Sequence, residues 1–282
     1  MRRFRCAVPA AVAVVGFVSG ASAADLPVKA PVAAPPPVVL NSWTGFYIGA
    51  NVGGGWSSRS VDYAPNDPAL SALFANADFR PPPLSFNTSG VLGGLQLGYN
   101  WHLNRNWLVG LEADFDWSGM KGSASTTFGG VPITTTVDEH IKWFGTVRAR
   151  LGYLPMDNLL AYVTGGFAYG QVEHTGSYVN NSGASFSLSS GVISFNCSPN
   201  STCFAGSSSK VVPGWTLGGG VEYAFWQKWS FKAEYLYVSL DSTSVTETAS
   251  AVSIPGNTPA SFNANFGRTK FNVARVGLNY RF

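Results

Sequence analysis

The sequence predicts an all-β fold, an eight-stranded antiparallel up-and-down transmembrane β-barrel with long extracellular loops. Three observations carry that reading. The C-terminal strand puts Ala274, Val276, Leu278, Tyr280 and Phe282 on one face and Arg275, Gly277, Asn279 and Arg281 on the other, because strand side chains alternate with a period of two. Charged residues make up 12% of the chain, against ~25% in ordinary soluble domains, while aromatics reach 14% with nine Trp. Past the N-terminal region, no apolar run approaches the ~20 residues of a membrane helix, so the hydrophobicity lies in alternation.

The first element is a targeting segment. Arg2, Arg3 and Arg5 precede an apolar stretch over 7–18 and the small residues Ala21, Ser22 and Ala23. That order is a secretory signal peptide, 1–23, with cleavage after Ala23, and the apolar run is too short for an anchor. Residues 24–42 carry Pro27, Pro31, Pro35, Pro36 and Pro37. Proline at this density favours extended chain and builds no core, so 24–42 reads as a periplasmic leader. The barrel occupies 43–282.

Eight alternating segments follow: 45–56, 89–101, 107–117, 141–153, 159–171, 211–225, 229–240 and the strand ending at 282. The clearest is 107–117, where Trp107, Val109, Leu111, Ala113, Phe115 and Trp117 alternate with Leu108, Gly110, Glu112, Asp114 and Asp116. Each segment is near the ~9–11 residues that cross a bilayer at a tilt. Connections at 102–106, 154–158 and 226–228 are short; those at 57–88, 118–139, 172–210 and 241–269 are long and rich in Ser, Thr, Gly and Asn. Short periplasmic turns and long external loops are the barrel rule. Trp101, Trp107, Tyr153, Phe225, Trp229 and Phe282 then mark the periplasmic girdle, and Trp56, Trp117, Trp143 and Trp215 the outer one.

The charges set the inner face. Glu112, Asp114, Asp116, Lys142, Arg148, Arg150, Glu222, Lys232, Glu234, Arg275 and Arg281 all lie opposite the apolar face of their strands. Glu139 and Lys270 have the lipid-facing parity at the external rim. A basic side chain facing lipid at mid-bilayer costs ~2–4 kcal/mol, which this pattern avoids. Buried charges should pair. Counting from the periplasmic end places Glu112 level with Arg148, and Glu222 with Lys232. The expected result is a lumen ion network that fills the narrow interior of eight strands; the alternative is an ion path that opens when a pair switches partners.

Residues 43–51 (WTGFYIGAN), 232–237 (KAEYLY) and 275–282 (RVGLNYRF) resemble small outer-membrane barrel proteins of alphaproteobacteria. These include the surface antigens of brucellae and rhizobia, and they share the eight-stranded barrel of the OmpA membrane domain. The resemblance spans 43–282. It implies a Gram-negative outer-membrane location and a barrel role in envelope integrity, haemin binding, host contact or small-pore activity. It also implies that Tyr280 and Phe282 end the strand that the barrel assembly machinery reads.

Catalytic chemistry is thin. His102, His140 and His174 have no adjacent Ser and carboxylate that would make a triad. A lipid hydrolase or acyltransferase in the envelope remains an option by fold analogy alone. The glycine runs 53–55 and 218–220 lack the Lys-Ser/Thr of a phosphate loop and read as bends or interior space. Cys197 and Cys203 bracket five residues of a long loop and read as a disulfide in an oxidising envelope; zinc would need more ligands. No cofactor is expected, with haem on His140 and His174 the one candidate. The formal charge of +3 includes the leader arginines and points to no nucleic acid. The expected partners are outer-membrane lipid and lipopolysaccharide, with haemin or a host surface ligand as the alternative.

Overall fold

A computed structural model describes residues 43–66, 71, 81–127, 132–189, 194–249 and 260–282. The expected signal peptide, 1–23, and leader, 24–42, lie outside the described residues. Among the described residues there are ten strands: β1 (Gly45–Pro65), β2 (Leu84–His102), β3 (Trp107–Thr127), β4 (Ile133–Met156), β5 (Leu159–Asn180), β6 (Phe186–Ser189), β7 (Ser194–Cys197), β8 (Ser201–Trp226), β9 (Trp229–Ala249) and β10 (Ser261–Arg281). Eight of them close into an antiparallel barrel in the order β1-β10-β9-β8-β5-β4-β3-β2, and β6-β7 form a separate hairpin within the third long connection.

Register fixes the barrel's shape. Stepping between paired residues, Trp56 leads to Asn272, Tyr237, Leu217, Gly165, Ala149, Leu111, Tyr99 and finally Phe46. The circuit returns to β1 displaced by the ten residues between Phe46 and Trp56. Eight strands with that stagger tilt by ~40°, and ten residues at that tilt rise ~25 Å, the height of an outer-membrane apolar band. The outward side chains match it. Ile48, Leu95, Leu111, Val147, Val163, Leu217, Phe231 and Leu278 are exposed between the two aromatic girdles. Trp101, Trp107, Tyr153, Phe225, Trp229 and Phe282 are exposed at the short-turn end, and Trp56, Trp117 and Trp215 at the other. A soluble fold would bury these residues; here the bilayer covers them.

The eight barrel strands are 19 to 26 residues long, about twice the span of a bilayer. Stretches read above as loops, such as 57–65, 118–127 and 241–249, therefore continue the ladder outside the membrane. Their composition explains it. Ser and Thr face water while Val61, Tyr63, Phe86, Val137, Val245 and Phe262 turn inward and bury a second core, with β-branched and aromatic residues suited to strands.

Register shifts interrupt the ladder at several places, and two of them set which side chains face the lumen or bridge its wall. Between Trp56 and Asp62 on β1 the backbone pairing with β10 lapses. Side chains bridge the gap: Ser57 Oγ donates to the Lys270 carbonyl at 2.5 Å, and Arg59 donates to the carbonyls of Arg268 at 2.6 Å and Phe266 at 2.9 Å. The β4–β5 register shifts between Ile141 and Trp143, a bulge that inverts the facing of the outer half of β4. Glu139, expected to face outward, consequently faces in and is buried, while Lys142, expected inside, faces out and pairs with Glu173 at 2.8 Å.

Candidate functional site: a layered, closed lumen

The interior is stacked in layers along the barrel axis. At the periplasmic floor, Trp43, Leu108, Leu154 and Leu160 pack together. The Trp43 indole donates to the Asp157 carbonyl at 3.0 Å, and the Arg281 guanidinium sits 4.3 Å over its ring. This floor closes the end that a soluble ion would need to leave by.

The next layer holds the charges. Five carboxylates, Glu112, Asp114, Asp116, Glu222 and Glu234, meet four cations, Arg148, Arg150, Lys232 and Arg275, all buried. The pairs run across the lumen as well as along its wall. Lys232 on β9 reaches Glu112 on the opposite strand β3 at 3.0 Å and Glu234 at 3.6 Å. Arg148 on β4 bonds Glu112, Asp114 at 2.6 Å and Glu234 at 3.0 Å. Arg275 on β10 bonds Asp116 at 2.6 Å, Asp114 at 2.8 Å and Glu234 at 2.6 Å. Arg150 bonds Glu222 at 2.8 Å and Glu112 at 3.2 Å, and its guanidinium lies 4.3 Å over the Tyr162 ring. Opposite walls are thus tied by charge-assisted hydrogen bonds, a dense arrangement that only an eight-strand diameter permits.

Neutral groups complete the layer. Tyr47 donates to Glu112 at 2.6 Å and accepts from Arg150 at 2.8 Å; Tyr162 donates to Glu234 at 3.0 Å. Glu222 accepts from Ser230 at 2.5 Å and Asn279 at 3.0 Å. Inward glycines make room. A Cβ at Gly98 would lie 2.3 Å from the Tyr47 hydroxyl, and one at Gly220 would lie 2.8 Å from the Tyr162 hydroxyl. The glycine runs read from sequence therefore include positions that neighbouring side chains fill.

Above the charges, Met120, Ile141, Phe144, Leu236, Leu240 and Phe271 form an apolar layer, with the Phe144 and Phe271 rings 5.3 Å apart. A second polar layer follows. Arg59 pairs with Glu139 at 3.0 Å, Thr88 donates to Glu139 at 3.1 Å, and His174 lies 2.9 Å from the Thr243 hydroxyl with its ring on Phe266. Burial, then the Arg59 charge, hold the His174 imidazole down to about 3, so it is neutral. The extracellular cap is the second apolar core, which includes Cys197 and Cys203. These two form a disulfide with Cα atoms 5.5 Å apart.

Of the sequence-read network, nine residues come together and Lys142 does not, for the bulge reason above. Glu112 and Arg148 are cross-strand partners and bond. Glu222 and Lys232 are also cross-strand partners, yet their charges go elsewhere: Glu222 to Arg150, Lys232 to Glu112. In so narrow a lumen the far wall competes with the neighbouring strand. His140 and His174 project to opposite faces of the wall, so they cannot hold one haem together. The sequence missed the Arg59–Glu139 pair, because a bulge reverses parity without a marker residue. It also missed Glu247, buried in the external cap where both its oxygens accept no hydrogen bond among the described residues.

Comparison with known proteins decides the family. The profile described as "Outer membrane protein beta-barrel domain" matches residues 10–282. The chain is 35% identical, over 94% of its length and 95% of theirs, to the 31 kDa outer-membrane immunogenic proteins of Brucella melitensis and Brucella suis. The chain belongs to the outer-membrane β-barrel family. Solved structures similar to this outer-membrane barrel include OprG of Pseudomonas aeruginosa, with 11% identity, a TM-score of 0.41, and coverage of 85% of this chain and 97% of that one. Ail of Yersinia pestis has 13% identity, a TM-score of 0.33, and coverage of 85% and 99%. The outer-membrane barrel sits in the outer membrane of a Gram-negative cell, with its short turns toward the periplasm.

Proposed function

We propose that this outer-membrane barrel is a structural, non-enzymatic envelope protein that supports outer-membrane integrity and presents its extracellular strands and loops at the surface, without a cofactor. The observation that carries this reading is the lumen, where the ion pairs of Lys232 with Glu112, Arg148 with Glu234 and Arg275 with Asp116 tie opposite walls between apolar layers. Ion pairs of this density, sealed on both sides, favour a rigid plug over a solute path. The long strands hold the external connections well clear of the bilayer, which suits display of a surface. Outer-membrane lipid and lipopolysaccharide are the partners of the apolar band, and the barrel assembly machinery is the partner of the strand ending in Tyr280 and Phe282.

Deletion of the gene tests this reading. The deletion strain should become more sensitive to detergents, and the wild-type gene should restore resistance. Unchanged detergent sensitivity together with a loss of haemin uptake would overturn it and favour a haemin-binding surface.

A further inference from the structure

The periplasmic floor is sealed by a residue that the barrel wall does not supply. Trp43 precedes β1, yet it is one of the largest fully buried side chains among the described residues. The other members of its apolar cluster all belong to barrel strands: Leu108 to β3, Leu154 to β4, Leu160 and Tyr162 to β5, and Ala224 to β8. Its indole N–H donates to the Asp157 carbonyl, in the turn between β4 and β5, at 3.0 Å. The Arg281 guanidinium of β10 covers the ring at 4.3 Å. One side chain from the start of the barrel thus joins strand ends from around the ring.

A local turn puts it there. Gly45 has a φ of +135°, a backbone conformation that residues with a Cβ rarely adopt. Thr44, between the two, accepts the His102 N–H on its hydroxyl at 3.1 Å. With these two residues the chain leaves β1 and enters the floor.

We propose that Trp43 is a strap that docks last, after β1 has met β10, and then locks the seam between the two ends of the barrel. The order follows from the topology. Arg281 reaches the indole only by way of β10, whose pairing with β1 sets Tyr47 opposite Arg281. Beside that pair, the Phe282 N–H donates to the Phe46 carbonyl at 3.0 Å. The seat of the indole therefore needs β10 in addition to β3, β4, β5 and β8, and it is complete only in a closed ring. Pairing the first strand with the last closes the longest loop the chain can make, so it is the expected barrier to folding. A contact made after the barrier leaves the folding rate alone and slows unfolding. Trp43 would then set how long a folded barrel stays closed.

The test compares the wild type with Trp43→Ala, Gly45→Ala and the double variant, each diluted from urea into phosphatidylcholine vesicles. The heat-modifiable band reports folding as it appears, and unfolding as it is lost after transfer to SDS at a fixed temperature. Trp43→Ala should fold within about twofold of the wild-type rate and unfold about a hundredfold faster. Gly45→Ala should also speed unfolding. Added to Trp43→Ala, it should change the unfolding rate by less than about twofold, because the turn acts by placing the indole. A folding rate lowered by Trp43→Ala more than its unfolding rate is raised would overturn the proposal, since the strap would then dock before closure. An unchanged unfolding rate would overturn it as well. So would a Trp43→Ala chain that never reaches the heat-modifiable form, because a lock that docks last is not needed to get there. Independent, multiplying effects of Trp43→Ala and Gly45→Ala on unfolding would refute the turn-and-strap arrangement.

Discussion

Replacing Arg150 by Met gives the sharpest energetic test of the lumen. Arg150 is the cation within ion-pair distance of Glu222, at 2.8 Å, and Glu222 is buried. After Arg150→Met, Glu222 keeps the hydrogen bonds of the neutral Ser230 and Asn279. Breaking one side of a buried pair costs about 3–5 kcal/mol, because the other charge stays buried without its partner. The charge of Arg281 also acts on Glu222, which places the expectation at the lower end, about 3 kcal/mol. Glu112, the other carboxylate of Arg150, retains Arg148 and Lys232 and should contribute little. In the double variant Arg150→Met/Glu222→Gln no orphan charge remains. Its destabilisation should fall short of the sum of the single variants by ~1–3 kcal/mol. The measurement is urea unfolding of the vesicle-inserted barrel, followed by Trp fluorescence, for the wild type and all three variants. Additive effects, within ~0.5 kcal/mol, would show that the two side chains do not share a buried pair and would refute the layered-plug reasoning. The same cycle on Glu112 and Lys232 should show weaker coupling, since Glu112 keeps two further cations.

Phe282 donates its backbone N–H to the Phe46 carbonyl at 3.0 Å, and its ring lies 5.3 Å from Tyr280 in the periplasmic girdle. Phe282→Asp should sharply lower the amount of heat-modifiable barrel recovered in the outer membrane, and wild-type levels would contradict the assignment. Glu247 predicts a pH dependence of the extracellular cap. Burial pushes its carboxyl up to about 8. A raised folded value favours the neutral form, so the stability it permits is complete below the ordinary value of 4.5 and is lost as pH rises toward 8. Amide protection in the outer halves of β5, β8 and β9, taken relative to the intrinsic base-catalysed exchange at each pH, should therefore fall between about pH 5 and pH 9 in the wild type, and Glu247→Gln should abolish that fall; an identical loss of protection in the variant would sink the idea. Non-reducing mass mapping should find Cys197 linked to Cys203, and reduction should loosen the external cap while leaving the membrane band intact, because the bridge lies in the external core; two free thiols in envelope material would contradict this.

The membrane half of the fold was legible because two constraints act on every residue there. Lipid demands apolar side chains outward, and a narrow lumen collects the charges inward, so 107–117 or 274–282 can be read by parity alone. Outside the bilayer the first constraint vanishes. Polar outward residues of 57–65 or 241–249 then look like loop, although their inward Val61, Tyr63 and Val245 build a core. Parity also fails at a bulge, as Lys142 and Glu139 show, since one extra residue in β4 exchanges inside and outside without any change in composition. Partner choice in the lumen was half legible. Register placed Glu222 opposite Lys232, but side chains several ångströms long reach across eight strands, and Arg150 on another strand captured Glu222.

The most direct test of the closed lumen is the current through single wild-type barrels in a planar bilayer at neutral pH. The packed layers from Trp43 through the Glu112–Lys232 and Arg275–Asp116 pairs to Phe271 predict an electrically silent protein with rare, small openings at most. A steady, large ohmic conductance from the wild type would contradict a sealed structural barrel and establish a pore in its place.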